Sequence, residues 1–172
     1  MSVVADKTIK KSNPSNIVLI LKDQMKKNAS SDIITWLLLG GKEFMPSRPS
    51  SVIDFIVASS KGIPKLSVIN LATVLEVPMK DMATLLNVSY KTLGRKKKTD
   101  ILDSISSSLS IEIANTIAKG LSVFEDSARL NRWLHKENSA LKGKIPFDLL
   151  STPTGIKLVN QVLGRIEEGV YT

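Results

Sequence analysis

Every hydrolytic reading of this sequence has to pass through one residue, His135, because the chain holds a single histidine and no cysteine. A Cys/His zinc site, a disulfide framework, a thiol nucleophile and a Cys-His dyad are therefore excluded within one chain. A Ser-His-Asp triad would need His135 as its base. That residue follows Trp133-Leu134 and precedes Lys136-Glu137, the setting of a surface helix residue. Gly40-Gly41-Lys42 lacks phosphate-loop spacing and reads as a helix stop. The acidic pairs Glu125-Asp126 and Glu167-Glu168 are neighbours in sequence and read as solvated. These residues point away from catalysis, and they call for neither a metal nor a cofactor.

Charge is where the residues do converge. The chain carries 24 Lys and Arg against 16 Asp and Glu, a formal +8. Residues 1–49 hold eight basic and four acidic side chains, residues 50–100 again eight and four, and residues 101–172 eight of each. The basic excess thus lies wholly in the first hundred residues. Its densest run is Lys91, Arg95, Lys96, Lys97 and Lys98, and Asp81 is the one acid between Glu76 and Asp100. Basic residues clustered on one element are the electrostatic footprint of a phosphate-backbone binder. A solvated helix end, where cations complement the macrodipole, is the competing explanation.

The stretch from Met79 to Lys98 favours the first of these, because it looks like a helix-turn-helix. Two helices that cross closely need a small residue at the crossing, and Ala83 supplies it. Four residues on, the turn needs a left-handed backbone; after glycine, asparagine is the residue that adopts it most readily, and Asn87 stands there. Met82, Leu86, Val88 and Leu93 fall at offsets that lock the pair together. Ser89 then caps the second helix and leaves Tyr90, Lys91 and Thr92 in its first turn, facing a major groove. Arg95 and Lys96 to Lys98, at the end of that helix, are expected on phosphates. Lys96 stands where such motifs keep an apolar residue.

The C-terminal third carries the most distinctive string. It runs Arg132-Trp133-Leu134, Asn138-Ser-Ala-Leu141, Gly143-Lys-Ile-Pro146-Phe-Asp148-Leu149-Leu150, Thr154-Gly155, and Val162-Leu163-Gly164-Arg165-Ile166-Glu167-Glu168-Gly169-Val170-Tyr171. Over residues 110 to 172 it resembles the toxin-binding domain of Xre-type antitoxins, the partners of RES-domain toxins, shared with the MbcA and ParS group. Leu93-Gly94-Arg95-Lys96 resembles that family's recognition helix. Tyr90-Lys91 and Ser106-Ser107-Ser108 depart from the family's usual residues at their positions.

The resemblance implies an antitoxin of a type II toxin–antitoxin system. Its partner would be a RES toxin that depletes NAD and whose pocket the C-terminal domain blocks, while the helix-turn-helix represses the pair's own operon. It places the toxin contact on Asn138, Leu141, Lys142, Pro146, Arg165, Gly169, Val170 and Tyr171. The residues themselves are compatible with an interaction module. Trp133, Leu141, Phe147, Leu149 and Leu150 form an apolar cluster large for so short a segment to bury alone. Gly169-Val170-Tyr171-Thr172 follows a helix stop and ends in an aromatic able to plug a pocket. A stand-alone regulator whose C-terminal domain only dimerises is the alternative; co-purification with a toxin separates the two.

The elements that would position these residues are helices, and the fold class expected is mainly α. The apolar start at Ile17 to Leu21 leaves helix and strand both open, with helix favoured. Ser31 or Asp32 caps a short helix through Leu39, and Gly40-Gly41 ends it. Pro46, Pro49 and the serines around them mark a linker, so residues 1–47 read as a separate N-terminal extension. Residues 48–109 read as the DNA-binding domain and 110–172 as the toxin-binding domain. Val52, Ile53, Phe55, Ile56 and Val57 share one helix, and Leu66 to Val77 form another. A third opens on Pro78. Ile113, Ile117, Leu121 and Phe124 mark a helix over Ile111–Phe124. Thr152 caps a last one, with Pro153 at its first position and Gly169 as its stop. Without a signal-peptide pattern or an apolar run near 20 residues, a cytoplasmic chain is expected. Because one recognition helix reads few bases, a two-fold homodimer on operator half-sites is expected too, joined through apolar helix faces of the C-terminal two thirds.

Overall fold

A computed structural model describes residues 14–170. Ten α-helices follow one another: α1 Pro14–Lys26, α2 Ser31–Leu38, α3 Val52–Lys61, α4 Lys65–Leu75, α5 Met79–Leu85, α6 Tyr90–Arg95, α7 Ser104–Phe124, α8 Ser127–Leu134, α9 Pro146–Leu149 and α10 Pro153–Glu167. Among the described residues β structure is confined to two isolated bridges, Pro64 with Ile101 and Asn138 with Lys144. The protein is mainly helical, as its periodicity requires. No helix among the described residues is long and apolar enough to cross a membrane.

α7 is the spine. Its 21 residues span about 31 Å at 1.5 Å per residue, and α2, α3, α4, α8 and α10 all pack against it. The division expected between residues 109 and 110 falls inside this one helix, so both halves share its buried face of Ile113, Ala114, Ile117 and Leu121. Gly120 lets α8 close in, because a Cβ at that position would run into the Leu130 side chain.

The N-terminal segment does not stand apart as expected. α1 and α2 pack on each other, α1 on α4, and α2 on α7. Trp36, Leu38 and Leu39 are buried in the common core, and the Trp36 ring N–H donates to the Met45 carbonyl at 3.0 Å. The proline-rich stretch after it is a surface connection between two parts of one core, because the apolar face of α2 finds its partner downstream.

α7 also begins seven residues earlier than the apolar pattern from Ile111 indicates. Asp103 caps it, accepting from the Ser106 N–H at 2.9 Å and the Ser106 hydroxyl at 2.8 Å. The serines that follow, helix-neutral on the surface, are used where the helix is covered. Ser110 donates to the Ser106 carbonyl at 2.7 Å, and the Ser107 hydroxyl accepts the buried Ile63 N–H at 3.0 Å. Those two bonds explain Ser106 and Ser107 as packing residues.

The Ser106 N–H, helped by its hydroxyl and opposed by burial, holds the Asp103 carboxyl below the usual carboxylate value. A carboxylate whose folded pKa is lowered contributes stability in full above its ordinary pKa, and loses it as pH falls through the folded value. Asp103→Ala is therefore expected to cost about 1 kcal/mol at pH 7. In chemical denaturation followed by circular dichroism, the gap to the parent chain should narrow below pH 4.

Candidate nucleic-acid and protein interfaces

The helix-turn-helix is built as its residues dictate. Ala83 is buried at the crossing of α5 and α6, with Met82, Leu86 and Leu93 buried around it and Val88 half-buried. Asn87 takes the left-handed turn at φ 55°. Pro78 precedes α5 as its cap rather than forming its first turn, a shift of one residue within ordinary end effects. The Ser89 hydroxyl accepts the Thr92 N–H at 2.9 Å and caps α6. From that cap onward Tyr90, Lys91, Thr92 and Arg95 are all exposed, with 58% of the Tyr90 surface open. Ser89 and Thr92 also share a hydroxyl hydrogen bond of 2.7 Å, which orients the first turn.

The basic run, expected as a helix end, is divided by the structure. α6 stops at Arg95, and Lys96 is already extended. The Lys65 ammonium takes the place of further helical turns, donating to the Lys96 carbonyl at 2.7 Å and more loosely to that of Gly94 at 3.4 Å. Lys96, half-buried, turns inward and donates to the Ile101 carbonyl at 2.8 Å, which also explains why no apolar residue is needed at its position. Lys97 and Lys98 stay exposed on a loop. That loop is pinned by the Leu66 N–H on the Lys98 carbonyl at 2.9 Å and by the Asp100 carboxylate on the Lys97 N–H at 2.8 Å. The cations free to face a phosphate backbone are Lys91, Arg95, Lys97 and Lys98; Lys96 holds the loop closed.

The C-terminal residues are divided as well. Asn138 is consumed by its own turn, with its side-chain oxygen on the Ala140 N–H at 2.9 Å and its backbone N–H on the Lys144 carbonyl at 3.1 Å. Leu141 and Pro146 are buried, so they set the shape of this loop rather than face a partner. Lys142, left-handed at φ 55°, is exposed at its tip. The apolar cluster around Trp133 is largely absorbed: Phe147 and Leu150 are buried, and Trp133 and Leu149 are half-buried against the same core.

α10 begins at Thr152, whose hydroxyl accepts the Gly155 N–H at 3.1 Å, and Pro153 follows at its first position. Its buried face is Ile156, Val159, Val162 and Leu163. It ends in a left-handed glycine cap: Gly169 at φ 73° donates to the Ile166 carbonyl at 3.0 Å, and Val170 to that of Arg165 at 2.9 Å. Arg165, Gly169 and Val170 are exposed around this cap. Tyr171 lies outside the described residues.

A hydrogen bond and a cleft link the halves that the sequence separates. The Asn87 side chain donates to the Ser151 carbonyl at 3.1 Å, tying the helix-turn-helix turn to the residue before the α10 cap. Beside it, the His135 ring stacks on Phe147 at 4.7 Å. Both border a cleft of about 570 Å³ between α5 and α9 that also carries Asp81 and Asp148. No spacing rule announces this junction, because Asp81 and Asn87 precede the residues they meet across it by more than 50 positions.

Gly155 sets the corner between α9 and α10: a Cβ there would collide with the Leu149 carbonyl oxygen and lie 2.9 Å from the Thr152 hydroxyl. Gly155→Ala should therefore destabilise the chain by about 2 kcal/mol, as overpacking against fixed backbone does. A thermal melt of the purified variant checks this.

Comparison with known proteins matches two family models, one over each of these regions. Residues 54–115 match the model of the antitoxin Xre-like helix-turn-helix domain. Residues 119–169 match that of the antitoxin Xre/MbcA/ParS C-terminal toxin-binding domain. The comparison with curated proteins returned no match. The two matched regions meet within α7, between residues 115 and 119, where the structure has a single continuous helix.

Proposed function

We infer that this chain, which belongs to the Xre-type antitoxins, restrains a RES-domain toxin by covering that toxin's NAD pocket with its C-terminal domain. It is the antitoxin of a toxin–antitoxin pair, and a toxin and DNA are its partners. In this reading the same chain represses its own operon, with Ser89, Tyr90, Lys91 and Thr92 at the major groove and Arg95, Lys97 and Lys98 on phosphates. Two copies bind together, one on each half-site.

The observation that supports this reading most is that the helix-turn-helix meets the start of α10, whereas Arg165 and Gly169 lie at the other end of that helix. The recognition helix begins beside the Asn87–Ser151 contact. Arg165 and Gly169 lie at the far end of α10, about 20 Å along its axis from that junction. The charge distribution follows the same division, basic through residue 100 and neutral beyond it. A protein contact at the end of α10 thus leaves the recognition helix open. Its planar guanidinium suits Arg165 to the polar rim of a nucleotide pocket, and the chain following Val170 enters that pocket.

Affinity purification of the tagged chain, co-expressed with the open reading frame beside its gene, tests the partner. The expected result is a co-eluting protein that lowers cellular NAD when expressed without this chain. A chain that elutes alone, or with a partner that leaves NAD unchanged, would contradict the RES assignment. Elution alone would instead favour a stand-alone regulator.

A further inference from the structure

Ten large hydrophobic side chains are left exposed among the described residues, and six of them lie at α3 and the start of α7. Val52, Ile53, Ile56 and Val57 are 45–66% exposed. At spacings of one, three and four residues they make a continuous stripe on one face of α3, while Phe55 on the other face is buried. Ile101 and Ile105 follow at 49% and 80% exposure. Ile101 sits over the end of α3, where its side chain closes on Gly62 and its backbone bridges to Pro64. Ile105 is the second residue of α7.

We propose that this stripe is the surface through which two copies of the chain associate. The proposal rests on the homodimer reading above and gives it a location, on α3 at the border of the C-terminal two thirds that the sequence pattern indicated and on Ile101 and Ile105 within them. Charge favours a second copy as the occupant. The first hundred residues are basic, so two copies repel wherever their lysines meet. Yet no Lys or Arg lies between Arg48 and Lys61, and the one acid in that interval, Asp54, is engaged by the Ser50 and Ser51 N–H groups at 2.7 and 3.1 Å. From Val52 to Val57 the stripe carries no cation, and such an apolar face is self-complementary in an isologous contact; exposed Lys61, one turn beyond Val57, marks its end.

The area is sufficient. The six side chains present roughly 600 Å² per protomer, so a two-fold contact covering all of them would bury about 1,200 Å², above the ~1,000 Å² a specific interface needs. Position adds a third argument. The Ile101 carbonyl, at one end of the stripe, accepts the Lys96 ammonium at 2.8 Å, so the patch borders the basic loop. A two-fold axis through α3 leaves one basic loop in each protomer beside the contact.

Sedimentation equilibrium of the full chain at tens of micromolar tests this, with Ile53→Glu/Ile56→Glu as the disrupting variant. The parent should run at twice its 18.8 kDa chain mass and the variant at half the parent's value. Circular dichroism should be unchanged, since both side chains face solvent within one chain, and melting should fall only to the value of the parent diluted below its dimer range. Because the chain has no cysteine of its own, Ile56→Cys gives a second, non-disruptive readout. Mild oxidation should link it into covalent pairs, whereas Lys157→Cys, exposed on α10, should stay unlinked. A variant that remains dimeric, or an unlinked Ile56→Cys in a parent-like dimer, would overturn the α3 surface and leave the homodimer standing. A parent chain of single mass would overturn both.

Discussion

Alanine at Arg95, Lys97 and Lys98 together will weaken operator binding and flatten its salt dependence by about 2.7 in the slope of log K against log salt, close to 0.9 for each phosphate no longer neutralised. The three cations are exposed and held on a pinned scaffold, so their removal takes away charge without loosening the turn. The weakening should be nearly the same on operator and on unrelated DNA, because phosphate contacts position a protein without reading sequence. Lys91 in the first turn is the contrasting test, since its removal should be felt mainly on the operator. Lys96→Ala should behave differently from both. Its ammonium closes the loop on Ile101, so it should lower stability and change the salt slope little. Fluorescence anisotropy on a labelled operator at several salt concentrations measures all three. An unchanged slope in the triple variant would rule out this loop as the phosphate contact.

Ending the chain at Glu168 will leave the protein folded and DNA-binding but weaken toxin neutralisation by about 2 kcal/mol or more, the loss of one buried aromatic anchor, or roughly 30-fold in affinity. The buried face of α10 ends at Leu163, and what the truncation removes from the described structure is the exposed glycine cap with the Val170 hydrogen bond. Tyr171 goes with it. Growth of cells co-expressing toxin with the truncated chain, and their NAD content, report the effect. Full protection would move the contact to the exposed loop tip at Lys142.

The helix-turn-helix was legible because its constraints are local. A small residue at a crossing, a left-handed turn and a hydroxyl cap are each set by one residue, and Ala83, Asn87 and Ser89 supply them within seven positions. The caps of α10 were readable for the same reason. What was not legible depends on partners distant in sequence. Nothing near Lys96 shows that its ammonium turns inward, because the acceptor belongs to a loop whose path is fixed by Lys65 and Leu66. The apolar spacing of α3 marks a helix but does not say that one face stays uncovered. The serines opening α7 look like surface until Ile63 and Asp103 bond to them. Likewise, the proline-rich stretch before α3 has the composition of a domain linker, and only the packing of α2 on α7 shows that it joins one core.

The claim that this chain is an antitoxin acting through its C-terminal domain meets its most direct test in NAD turnover. Purified toxin from the same operon is given NAD, and the full chain is titrated in, with the Arg95, Lys97 and Lys98 alanine variant in parallel. The account predicts that NAD consumption falls to background at a fixed molar ratio, identically for both chains, because the basic loop takes no part in covering the pocket. NAD consumption that continues with saturating chain present would contradict it.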